Sequence, residues 1–189
     1  MLNDQQRSRL VDVARRSVAA RVSGGQLMAE GSPDLPPASG VFVTLKLAGQ
    51  LRGCLGTLEG PGDLAGEVAR CAADAASKDP RFPPVTANEL LALTLEVSVL
   101  GPLERIDPHA AGAAAAMTIG VHGLVVEQGR HRGLLLPQVA TEREWSPEQF
   151  LRQTCLKAGL APEAWEHGAI VYRFAAEVFG EGTVSKKDQ

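Results

Sequence analysis

Hydrophobic positions change their period several times along the chain, and each change marks an element. Leu10, Val13, Ala14 and Val18 recur at helical spacing behind Asn3 and Gln6, which are spaced as a capping box. Ser23-Gly24-Gly25 ends that helix. Residues 29–39 are rich in Pro and Gly and read as a loop, either a lid or a plain connection. From Gly40 the period is two: Val41, Val43, Leu45 and Leu47 alternate with Phe42, Thr44, Lys46 and Ala48. Ala48-Gly49-Gln50 turns the chain into a second strand, Leu51 to Thr57, completing a hairpin. Asp63 opens a helix on which Leu64, Val68, Cys71, Ala72 and Ala75 share a face, and Asp79-Pro80-Arg81-Phe82-Pro83-Pro84 breaks it. Thr86 and Glu89 predict another capping box. Leu93, Leu95, Val97 and Val99 then alternate along a strand whose other face carries Thr94, Glu96 and Ser98.

The second half is less regular. The Ala-rich stretch 110–116 reads as a short helix. Residues 117–120 and 124–127 read as short strands interrupted by Gly120-Val121-His122-Gly123, and 133–136 as their hairpin partner. Ser146-Pro147-Glu148-Gln149 combines an N-cap, a Pro at the first position and a Gln at the third, and Gly159 closes the helix it starts. A final strand, Ile170 to Val178, leads into a polar tail, 179–189, expected to be disordered. This order of hairpins and helices predicts an α+β fold, a largely antiparallel sheet with flanking helices. The chain has no internal repeat, no G-x-G-x-x-G and no P-loop.

Composition narrows the class. The 189 residues suit one domain with a sizeable core. Three cysteines do not make a disulfide framework, and the start, MLNDQQRSRL, lacks the apolar run of a signal peptide; both predict a reducing, cytoplasmic location. No segment approaches the length needed to span a bilayer. A net charge of −3 and only five Phe, two Trp and one Tyr argue against nucleic acid as a partner. Arg7, Arg9, Arg15, Arg16 and Arg21, partly offset by Asp4 and Asp12, read as a solvated helix face. The four histidines are far apart and no C-x-x-C occurs, so no metal or other cofactor is predicted.

Chemistry concentrates in Leu51-Arg52-Gly53-Cys54-Leu55-Gly56-Thr57. Period two places Arg52, Cys54 and Gly56 on one face and Leu51, Gly53 and Leu55 on the other. An arginine beside a thiol favours the thiolate, the form a nucleophile needs, and Gly53 and Gly56 let a ligand or another backbone approach. The alternative is a small buried hydrophobe. His122, between glycines, is the preferred base, with Glu96 as the second candidate. Arg81 and Asp79 either hold a carboxylate or phosphate substrate or fix the Pro-rich turn. Cys71 and Cys155 lie on apolar helix faces and read as core thiols.

LRGCLG, preceded by GVFVTLKLAGQ and followed by DPRFPP, EVSVLGPLE, IGVHGLVV, LLLPQVA and KAGL, resembles the AMMECR domain, the family called AmmeMemoRadiSam system protein A. The resemblance runs over roughly residues 5–178 in matching order, with Leu55 where the family commonly has Ile. It implies one α+β domain with a larger part holding the LRGC segment and a smaller part beside it. It also implies an association with a Memo-like protein and a radical SAM protein. Two readings follow: an enzyme or enzyme component centred on Cys54, with Arg52, His122 or Glu96 assisting and Arg81 binding substrate, or a non-catalytic adaptor for those partners.

Overall fold

The computed structural model describes residues 2–25, 34–58 and 63–181. The chain divides into two compact units, a larger one of Met1–Leu100 with Glu177–Gln189 and a smaller one of Gly101–Ala176. Both are α+β with antiparallel pairing.

In the larger unit, α1 (Asp4–Ser23) starts at the expected capping box. Asn3 Oδ1 accepts from the Gln6 N–H at 2.8 Å, and Gln6 Oε1 accepts from the Asn3 N–H at 3.0 Å. The helix ends at Gly24, whose φ of 73° is left-handed. Strands β1 (Gly40–Leu47) and β2 (Gln50–Thr57) form the hairpin, turned by Ala48 and Gly49 at φ 50° and 78°. Two positive φ values make the primed turn that matches strand twist. Helix α2 (Leu64–Ser77) follows, capped by Asp63; after it come a 3₁₀ turn, Ala87–Glu89, and β3 (Leu93–Leu100). β1 lies between β2 and β3, antiparallel to both, so β2 is an edge strand.

The inward residues Val41, Val43, Leu45, Leu93, Leu95 and Val97 pack with Leu10, Val13 and Val18 of α1 and Leu64 and Val68 of α2. One face of the sheet is thereby covered by two helices. Phe42, Thr44, Lys46, Cys54 and Glu96 occupy the other face and are half-buried. The arginines of α1 are largely engaged within the fold: Arg7 with Glu177, Arg9 with Asp34 and Arg15 with Glu181. Residues 179–181, which the sequence assigns to the tail, belong to the fold. The last strand runs to Gly180, Phe179 is buried in the core, and Arg15 holds Glu181. Residues 182–189, and 29–33 of the 29–39 loop, lie outside the described residues.

The smaller unit contains β4 (Glu104–Ile106), α3 (Pro108–Ala111), α4 (Ala113–Ala116), β5 (His122–Gln128) and β6 (His131–Leu135). It continues with α5 (Pro137–Glu142), α6 (Pro147–Lys157), a 3₁₀ turn at Ala164–Glu166, and most of β7 (Ile170–Gly180). β7 pairs with β4 and β5, and β5 pairs with β6. Leu124, Val126 and Val171 pack with Phe150, Leu151 and Cys155 of α6. Two sequence expectations change here. The Ala-rich helix is two single turns separated by Gly112, at φ 79°. Residues 117–120 form no strand, because the Thr118 carbonyl accepts from the N–H groups of Val121 and His122 and so closes a turn.

Candidate functional site

Cys54 sits on the edge strand, opposite Thr44 of β1, whose hydroxyl donates to Cys54 Sγ at 3.3 Å. Its backbone N–H and C=O point to the free edge. The N–H donates to Asp79 Oδ2 at 2.8 Å, and the carbonyl accepts from Arg81 Nη2 at 3.3 Å. Thr44 and Cys54 therefore form the kind of antiparallel pair without mutual backbone bonds, in which side chains come closest.

Asp79 is 4% exposed. It accepts from Arg81 Nε at 2.9 Å, Nη2 at 2.7 Å and the backbone N–H at 3.1 Å. The Asp79–Arg81 pair thus clamps Cys54 and covers an edge that would otherwise be open to further strand pairing. Arg81's hydrogen bonds, and then the Cys54 and Arg81 N–H groups, hold the Asp79 carboxyl well below the usual range despite burial. Arg81 in turn is raised, chiefly by Asp79 and in smaller part by the nearby Cys54 side chain.

Arg52 departs from the expected role. Its Nε and Nη2 donate to Glu89 at 2.7 and 3.2 Å, and Nη1 and Nη2 to the carbonyls of Pro83 and Pro84 at 2.9 and 3.3 Å. The reason is a β-bulge. Pairing steps from Leu45↔Gly53 to Lys46↔Leu51, leaving Arg52 as the extra residue, and a bulge re-aims such a side chain. The arginine held beside Cys54 by its backbone carbonyl is Arg81. Arg52 instead fastens the 83–89 segment, and its guanidinium draws Glu89 down to about 2. The same bulge removes Leu51 from the face of Gly53 and Leu55, and it is 42% exposed.

The two glycines serve the fold. A Cβ on Gly53 would overlap the Ala75 carbonyl of α2, and one on Gly56 would overlap the Val41 carbonyl and the Phe42 ring. Glu96 lies across Thr44 from Cys54 in the same row of three strands and pairs with Lys46 Nζ at 3.1 Å. His122 is in the smaller unit. It begins β5 rather than a loop, and its Nδ1 accepts from the Thr118 N–H at 2.9 Å. Burial, and then Arg173, lower its pKa. Cys71 and Cys155 are buried in the two cores; burial pushes the Cys71 thiol up to about 11 and raises that of Cys155. Among the described residues no three His, Cys, Asp or Glu side chains gather as a metal site, and no helix is long and apolar enough to cross a membrane.

Thr44 and Glu89 were not singled out for this chemistry by the sequence. Glu89 was visible only as a capping residue, a role it keeps by accepting from the Thr86 N–H at 2.8 Å. Thr44 becomes Cys54's neighbour only through the bulge.

The frame around Cys54 combines the LRGC strand and the DPRFPP turn. The family model AMMECR1 matches residues 11–179. The chain belongs to the AMMECR1 family. A Methanosarcina acetivorans protein is 42% identical over 187 residues, covering 96% of this chain and 94% of that one. A Methanothermobacter thermautotrophicus protein is 44% identical over 178 residues, covering 91% and 92%. The crystal structure of the uncharacterized protein PH0010 from Pyrococcus horikoshii is similar at a TM-score of 0.84 and 40% identity, over 96% of this chain and 94% of that one. The LRGCLG and DPRFPP segments thus meet physically at the clamp on Cys54.

Proposed function

We propose that this AMMECR1-family chain is an enzyme, or the thiol-bearing component of one, in which Cys54 attacks an electrophilic carbon of a small-molecule or modification substrate. The observation that carries the reading is the clamp: both backbone polar groups of Cys54 are held by Asp79 and Arg81 while the thiol remains half-buried on the face opposite the two helices. Such fixation places a nucleophile with little reorganisation. In this mechanism Sγ bonds to an acyl carbon and the leaving group departs with the thiol proton. Thr44 follows the sulfur, and Glu96, in the same row, moves the proton. Arg81 Nη1, which carries no hydrogen bond among the described residues, holds a carboxylate or phosphate of the substrate.

Alkylation of Cys54 by iodoacetamide tests the activated thiol. Below about pH 8 the native protein reacts faster than a free thiol, and Arg81→Ala slows it; equal rates remove the nucleophile from the mechanism. Metabolites that accumulate on gene deletion and clear with the wild-type gene, but not with Cys54→Ser, then give the substrate class.

A second reading, an adaptor for a Memo-like or radical SAM protein, draws on Leu51 and Leu91, which are large, apolar and exposed. Co-purification with such a partner that survives Cys54→Ser and fails with Leu91→Asp selects it.

A further inference from the structure

The smaller unit has a cleft of about 580 Å³ that the Cys54 reading leaves unused. One wall is the stretch from β4 into α3, with Arg105, Ile106, Asp107 and His109. The other is the segment entering β7, with Trp165 and Glu166. The volume falls within the range of small-molecule sites, roughly 300–1,000 Å³.

Charges of both signs line it. Arg132, Arg152 and Arg173 of this unit, outside the cleft, pair with Glu127, Glu163 and Glu104, whereas Arg130 and Arg143, like Arg105, form no ion pair among the described residues. Arg105 shares the cleft with Asp107 and Glu166, yet among the described residues it forms an ion pair with neither. Asp107 is partly committed, since its Oδ1 accepts from the N–H groups of His109 and Ala110 at 3.1 and 3.0 Å. Glu166 and the His109 ring carry no such bond among the described residues. A cation on one wall and a carboxylate on the other, unpaired across a common space, are neutralised together by a molecule carrying both charges. The indole face of Trp165 and the side chain of Ile106 suit an apolar body between them.

We propose that this cleft binds a zwitterionic small molecule of dipeptide size with apolar side chains. Its carboxylate meets Arg105 and His109, and its ammonium meets Glu166 beside the Trp165 ring. The site is separate from Cys54 chemistry and gives the chain a second ligand.

The experiment uses Trp145→Phe protein, in which Trp165 is the remaining indole. L-leucyl-L-leucine is titrated against its fluorescence, beside the same dipeptide acetylated and amidated to remove both charges. The expected result is saturable binding below about 10 mM that weakens roughly tenfold in Arg105→Ala and again in Glu166→Gln, with no binding of the capped form. Both substitutions are at exposed positions, and unchanged circular dichroism verifies folding. Absence of saturation, equal binding of the capped dipeptide, or loss in only one of the two variants overturns the proposal.

Discussion

At the scale of single residues, the three thiols have three different surroundings. Cys71 and Cys155 are packed into separate cores and carry raised pKa values, so neither the thiolate nor access is available to a reagent. Native protein treated with iodoacetamide is therefore expected to carry one label, on Cys54, and unfolded protein three, as read by peptide mass spectrometry. Gly53 is equally specific. Because α2 presents the Ala75 carbonyl where a Cβ would go, Gly53→Ala forces helix and sheet apart. It is expected to lower stability by about 1–3 kcal/mol in urea unfolding. Gly49 has open space around it but a φ of 78°, so its requirement comes from the turn and not from packing.

At the scale of elements, the Pro-rich turn and the edge strand stand as one assembly. Asp79 and Arg81 hold Cys54, while Arg52 reaches back to Pro83, Pro84 and Glu89. These ties depend on ionised carboxylates. The folded chain holds Glu89 near 2 against an ordinary 4.5, and Asp79 is also depressed. A carboxyl depressed on folding contributes stability that is complete above its unfolded pKa and is lost as pH falls toward its folded one. Stability should thus decline from about pH 4.5 downward, and Glu89→Gln should flatten part of that slope, which urea midpoints across the acid range will measure. Most strands and helices were legible in the sequence, from Asn3 and Gln6 through Ser146 and Gln149, the 110–120 stretch excepted. β4 and α5 were not, since three and six residues carry too little periodicity.

At the scale of the molecule, the two units are expected to respond to acid in different windows. His122 is depressed below 6.5 by burial and Arg173, and its Nδ1 accepts the Thr118 N–H, a bond that protonation removes. Its contribution is complete above 6.5 and fades as pH falls through the depressed value. Amide hydrogen exchange is expected to accelerate first around 118–122 as the solution passes below about pH 6.5, and around 79–89 only below about pH 4.5. Simultaneous opening of both regions would show that the units melt as one.

The sequence by itself determined the α+β class, the hairpin, the capping boxes at Asn3, Thr86 and Ser146, and the two core thiols. All of these are written in local periodicity and turn chemistry. The partners of Cys54 were decided only by tertiary structure. Counting back from the turn, where Leu47 faces Gln50, an unbroken hairpin would set Thr44 opposite Gly53 and aim Cys54 toward the helices. The bulge at Arg52 shifts the register by one, seats Gly53 against α2 and turns the thiol to the face opposite the helices, beside Thr44. A one-residue slip exchanges the faces of a strand, and what fixes it here is contact with a helix and a turn distant in sequence.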